Sequence, residues 1–248
     1  MQINHLFVSA KGDGADTTLV QPTDWNDNHV IIEDGWISAG ETWTYASATT
    51  FTVPTDLTTK YAKGTKIKLT QTTAKYFYVT ASSYGAPNTT VTITGGTDYS
   101  LANAAITLPF YSYAVMAQGF PDLFNYTPVW TSSGVAPSIG NGTLTGIFKM
   151  AARTVTVEVF MKPGGTTTFG TGTYYWSIPV ADVGTVEAWI GGCRVQDSGT
   201  GWISGITVVD KDDHKITGYA YNIGPFAQTV PMTWAVNDTL DLQVSYEI

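Results

Sequence analysis

The chain is poor in the residues from which most active sites are built. It has one cysteine, Cys193, and three histidines, and Lys, Arg, Asp and Glu together make up 13% of its 248 residues, about half the usual share. One cysteine excludes an internal disulfide and fits assembly in a reducing cytoplasm; its bland reading is a small buried apolar side chain. With the histidines scattered at His5, His29 and His214, a zinc site is not expected. No G-x-S-x-G turn is present to raise a nucleophilic serine; Trp202-Ile203-Ser204-Gly205 lacks the spacing. No apolar run approaches the ~18 residues of a membrane span, and the first residues show neither the basic start nor the apolar stretch of a secretory signal. The expectation is a chain without leader or membrane insertion, in which the four Asn-X-Thr sequons follow from abundant Asn and Thr. Basic charge is short as well: 12 Lys and Arg face 20 Asp and Glu, a net charge of −8. That argues against nucleic acid, whose phosphates require a basic surface. It argues equally against long-range attraction to anionic membranes or cell-wall polymers.

What is present suits a pleated sheet. The chain is 43% hydrophobic and 13% aromatic, with 25 glycines and threonine runs such as Thr166-Thr167-Thr168. β-Branched and aromatic side chains favour strands, and glycine supplies the turns. Period-two alternation recurs. Ile67 and Leu69 alternate with Lys66, Lys68 and Thr70, Phe77 and Val79 with Tyr76, Tyr78 and Thr80, and Val155, Val157 and Val159 with Thr154, Thr156 and Glu158. At the end, Leu240, Leu242, Val244, Tyr246 and Ile248 form one face and Asp241, Gln243, Ser245 and Glu247 the other. Leu101 to Ile106 is the one stretch that reads as a short helical turn, and Gly191-Gly192, Gly164-Gly165 and Asp197-Ser198-Gly199 read as hairpin or loop tips. The expected fold is all-β: an extended N-terminal arm over 1–35, a small β-domain over 36–120, and a β-sandwich or jelly-roll-like C-terminal domain over 121–248. The second boundary is marked by prolines between Gly119 and Pro128.

Candidate chemistry is sparse. The acidic run Asp210 to His214 is the best metal candidate, but it lacks the glycine and terminal glutamate of a calcium loop, and a solvated hairpin tip is the competing reading. Twenty acidic residues allow a pair of carboxylates for glycoside hydrolysis, and nothing singles one out. Gly12-Asp13-Gly14 and Gly140-Asn141-Gly142 precede no helix that would cradle a phosphate. No catalytic residue, metal or cofactor is therefore assigned. Aromatics crowd the C-terminal half. Of these Trp202, Tyr219 and Tyr221 stand in turn-like contexts, where an exposed ring beside Asn, Gln or Asp can stack on a sugar; core packing or a subunit interface is the alternative for each.

Three stretches carry a resemblance. The arm from His5-Leu6-Phe7-Val8 through Thr18-Leu19-Val20-Gln21-Pro22-Thr23-Asp24-Trp25-Asn26-Asp27-Asn28-His29-Val30 resembles the N-terminal segment of phage tail and head fibres. Trp43-Thr44-Tyr45-Ala46, Phe51-Thr52-Val53-Pro54, Lys66-Ile67-Lys68-Leu69-Thr70-Gln71 and Tyr76-Phe77-Tyr78-Val79 resemble a small β-domain of such fibres. Thr127-Pro128-Val129-Trp130-Thr131, Pro137 to Gly146, Thr168-Phe169-Gly170 and Ile178-Pro179-Val180 resemble their C-terminal, receptor-binding domain. The resemblance implies a virion protein assembled in the host cytoplasm. It implies a homotrimer, whose arm docks on other virion proteins through residues such as Phe7, Leu19, Pro22, Trp25 and His29, and whose distal domain attaches to a host-surface glycan or protein. A capsid-mounted fibre or decoration protein with a mainly structural role is the alternative, because no repetitive shaft or heptad stretch is present. A depolymerase is the reading from another class.

Overall fold

The computed structural model describes residues 2–3, 12–15, 18, 21, 29–30, 34–184, 186–210 and 213–248. Among them there is no helix, and the protein is all-β. Near the start, β1 (Gln2–Ile3) pairs antiparallel with β2 (His29–Val30). Phe7, Leu19, Pro22 and Trp25 lie outside the described residues, and His29 is described through its backbone alone.

The first large sheet has seven antiparallel strands: β3 (Ile37–Ser38), β4 (Thr44–Ser47), β5 (Thr50–Pro54), β6 (Lys66–Gln71), β7 (Thr73–Gly85), β8 (Asn88–Thr94) and β9 (Thr107–Ser112), in the order β3-β9-β6-β7-β8-β5-β4. The alternating residues named from the sequence do the work expected of them. Phe51, Val53, Ile67, Leu69, Phe77, Val79, Val91 and Ile93 point to one face and form a core with Trp43, Tyr61 and Leu101. The stretch Leu101 to Ile106 is a loop, not a helical turn. Buried Gln71 explains this: its amide donates to the carbonyls of Ala102 and Ala104 at 2.9 and 3.0 Å and accepts from the Ala102 N–H at 2.9 Å. Those backbone groups are thereby removed from helical pairing.

A half-buried carboxylate sits at the rim of this core. Glu41 accepts from Lys60 Nζ at 2.7 Å, from the Tyr61 hydroxyl, and from Trp43 Nε1 at 3.3 Å. Burial alone would push the Glu41 carboxyl up, but these three donors outweigh it and hold the group below its ordinary value. The same burial, with Glu41 alongside, drives the Tyr61 hydroxyl far up. A carboxyl depressed by folding contributes stability above its unfolded value of about 4.5 and loses that contribution as pH falls through the lower folded value. Glu41→Gln is therefore expected to cost about 1–2 kcal/mol at pH 7. In denaturant titrations from pH 7 to 3, the gap from wild type should narrow below pH 4.5; a constant gap would show that the carboxylate contributes nothing through its charge.

The second large sheet has ten antiparallel strands. They are β10 (Phe124–Tyr126), β11 (Trp130–Ser132), β12 (Thr143–Ala151), β13 (Thr154–Lys162), β14 (Tyr174–Ser177), β15 (Ala188–Asp197), β16 (Gly201–Asp210), β17 (Lys215–Ala220), β18 (Gly224–Pro225) and β19 (Thr239–Glu247). The order is β10-β12-β13-β19-β15-β16-β17-β14-β11, with β18 on β17. The chain's last strand thus lies in the middle, and Leu240, Leu242, Val244, Tyr246 and Ile248 are all buried. β15 pairs with β16 over its whole length but with β19 only from Gly192 to Gln196. The two halves of the sheet share this short seam and curl over a single core between them, which includes Phe148, Val157, Val195, Val209, Trp130, Trp176 and Val244. Gly191-Gly192 is accordingly no hairpin tip but lies inside β15. A Cβ at Gly191 would stand 1.9 Å from the carbonyl oxygen of Gln243, so this residue admits the close approach of β19 at the point where the pairing with β15 ends. Gly164-Gly165 does fall between strands, and Asp197-Ser198-Gly199 runs from the end of β15 into the hairpin turn before β16.

The two sheets meet along β7. Phe77 and Val79 face the first core, while Tyr78, on the opposite face, is buried in the second. Its ring lies 4.8 Å from Phe120 and 5.4 Å from Phe124, both edge-on, and Tyr76 and Trp36 pack beside Phe120. By alternation Tyr76 and Tyr78 lie on the face opposite Phe77 and Val79. Hydrogen bonds seal the joint: the Asp98 carboxylate accepts from the Asn125 backbone and side-chain N–H groups at 2.8 Å each, and Thr97 N–H donates to Asn125 at 2.7 Å.

Candidate functional site

On the outer face of the second sheet, four neighbouring strands form the floor of an open cleft of about 490 Å³, within the range of small-molecule sites. Register explains its lining. Thr145 and Ile147 of β12 stand opposite Phe160 and Glu158 of β13; these stand opposite Asp241 and Gln243 of β19; and those face Arg194 and Gly192 of β15. Because side chains alternate across a strand, all eight leave the sheet on the side away from the core. Gly192 makes the floor drop, since a Cβ there would meet nothing within 4 Å.

The polar groups are held in pairs. Gln243 Nε2 donates to Glu158 Oε1 at 3.2 Å. Arg194 donates through Nε and Nη2 to Asp241 Oδ2 at 3.2 and 2.8 Å, and its guanidinium lies 4.3 Å from the centre of the Trp202 ring. Arg194 is thus fixed from both sides, by a carboxylate and by a ring face. Because the ion pair is solvent-exposed, its worth lies in orientation rather than in stability. Behind the cleft, Cys193 turns toward the core side, and burial pushes its thiol up to about 11. It is no reactive nucleophile at neutral pH.

The three aromatics named from the sequence are all exposed, at 56% for Trp202, 36% for Tyr219 and 81% for Tyr221. They do not converge. Trp202, the second residue of β16, stacks on Arg194 from outside the cleft lining. Tyr219 lies within β17 opposite Ile206, about 13 Å along the sheet from Trp202 by strand rise. There it joins exposed Ile190 and Ile206 and half-buried Val208 in an apolar strip. Tyr221 stands in the turn after β17. Phe160, Glu158, Asp241, Gln243 and Arg194 were not singled out. For all but Arg194, the signal that could have found them was the outward set of the strands whose inward sets were read correctly; Arg194 lies on β15, which the glycine pair had hidden.

The hairpin carrying Trp202 is tied down from below. Buried Asp238 accepts from the Ser198 N–H at 2.9 Å and the Ala235 N–H at 2.6 Å. Asp238→Ala strands both donors and is expected to cost about 2 kcal/mol, with faster hydrogen exchange at Ser198 and Ala235; unchanged exchange would show that the clasp holds nothing. Of the Asp210 to His214 run, residues 211 and 212 lie outside the described residues; among the described residues no group of three or more His, Cys, Asp or Glu gathers as a metal site. His214 instead meets the buried Asp182 carboxylate at 2.5 Å.

No family model matches the chain, and no solved structure matches it. Over 124 residues, half of the chain, it is 26% identical to a protein of Haemophilus influenzae named Mu-like prophage FluMu defective tail fiber protein. The aligned region spans about a fifth of that protein's length.

Proposed function

We propose that the chain is a fibre protein of a bacteriophage particle, acting in attachment to the host surface as a homotrimer. The observation that carries this reading is the similarity of half the chain to a phage tail fibre protein. It favours a tail position over a capsid-mounted one and a structural role over a catalytic one. The geometry supports it: an all-β body, two sheets joined through a packed aromatic seam, and a cleft that faces outward.

Trimer formation is supported by exposed apolar surface. The strip of Ile190, Ile206, Val208 and Tyr219 crosses three strands of the second sheet, and Leu108, Tyr113, Val115 and Met116 are exposed beside the first. Such contiguous surface is usually covered in the functional assembly. Joined copies would also raise the effective concentration of weak sites. With a net charge of −8, attachment must rest on short-range contacts. The test is direct: the purified full chain should sediment at three times the 26.7 kDa chain mass and should compete with the phage for adsorption to its host cells. A monomer that leaves adsorption unchanged would overturn the reading.

A further inference from the structure

We propose that the cleft on the outer face of β12, β13, β19 and β15 binds a neutral sugar unit of the host surface, with its hydroxyls donating to Glu158, Asp241 and Gln243. This rests on the attachment reading and says where and through what chemistry attachment occurs.

The acceptors decide the ligand class. Glu158 and Asp241 each use a single oxygen in the protein hydrogen bonds they make, Oε1 to Gln243 and Oδ2 to Arg194. The other carboxylate oxygens, with the Gln243 carbonyl oxygen, therefore offer acceptors along one wall, and hydroxyls are what a sugar presents in quantity. The Arg194 cation is already engaged by Asp241 and stacked on Trp202, while Glu158 adds a negative charge without a cationic partner among the described residues. An acidic sugar or phosphate seated there would meet both carboxylates, while Arg194, the one cation lining the cleft, is already engaged. On the apolar side, half-buried Phe160 and Ile147 line the β13 and β12 end of the same cleft, across Glu158 and Gln243 from Gly192, where the C–H face of a pyranose can pack. A peptide occupant would need donors and acceptors alternating along an open sheet edge. The cleft lies on a sheet face, where the backbone is already paired.

The test uses the full chain and an array of oligosaccharides ending in neutral hexoses, with uronic-acid and sialic-acid termini as the anionic arm, followed by calorimetric titration of the strongest probe. Neutral termini should bind and anionic ones should not. Glu158→Gln should weaken binding about tenfold, the loss of one charge-assisted hydrogen bond. Gly192→Leu, whose side chain enters open space and not the core, should abolish it with the thermal midpoint retained. Binding confined to anionic termini, no response to any neutral terminus at millimolar sugar, or unchanged binding by Gly192→Leu would each overturn the proposal. If Gly192→Leu still competes fully for host adsorption, the cleft assignment fails while attachment survives. If the wild-type chain does not compete at all, attachment itself fails.

Discussion

Gly64→Val is expected to force the two sheets apart. Gly64 has φ of +88°, and an ideal Cβ would stand 1.9 Å from the carbonyl oxygen of Ala152 in the turn between β12 and β13. The Cβ position is set by the backbone and the Ala152 atoms it meets are backbone, so no side-chain rotation relieves the clash. A β-branched residue would add the cost of a left-handed backbone. The Gly64 N–H also donates to the Val79 carbonyl at 2.8 Å, so this turn cannot shift without disturbing β7. The two effects together place the loss at about 4 kcal/mol, the range reserved for severe substitutions. Because each sheet keeps its own core, the variant should lose the joint before either sheet unfolds. Limited proteolysis should cut within 113–123, and denaturation should split into two transitions. A single unshifted transition would show that the sheets are not coupled through this contact.

Trp176→Ala is expected to cost about 3–5 kcal/mol. Trp176 is completely buried and lies parallel to Trp130, centroids 6.4 Å apart with 2° between planes, while the Tyr174 ring meets it edge-on at 6.2 Å. Removing the indole would leave a cavity bounded by rigid rings that cannot collapse into it. The indole N–H groups of Trp130 and Trp176 are buried without a hydrogen-bond partner among the described residues, and such groups carry a penalty. Trp176→Phe, which keeps one aromatic ring and removes the unpaired donor, should therefore cost less than half as much as the alanine variant. Equal losses in urea titration would mean that the N–H is satisfied in solution.

Much of the fold was legible because burial on one side of a strand leaves a period of two. The runs ending in Ile248 and Val159 read correctly, since their outward residues are Asp, Gln, Ser, Glu and Thr. The same rule failed at β7, where both faces are buried. Tyr76 and Tyr78 occupy outward positions by alternation, and only the second sheet covers them. Local sequence does not encode which surface a partner sheet will cover; aromatic residues where Thr or Lys would serve were the one hint. Gly191-Gly192 misled for a related reason. Adjacent glycines commonly mark turns, yet here one admits the close approach of β19 and the other opens the cleft. The site was less legible than the fold. Trp202 was chosen for its glycine neighbours and touches the cleft only through Arg194, while Glu158, Phe160, Asp241 and Gln243 come together only through strand order. The pairing of β13 with β19, 85 residues apart at Glu158 and Gln243, is not readable from either strand alone.

Attachment by a fibre on the particle is tested most directly by labelling. Antibody fragments raised against the full chain should decorate the tail fibres of phage particles that carry its gene, as seen by electron microscopy, and should block their adsorption to host cells. Unlabelled particles, or label confined to the capsid with adsorption intact, would contradict the account.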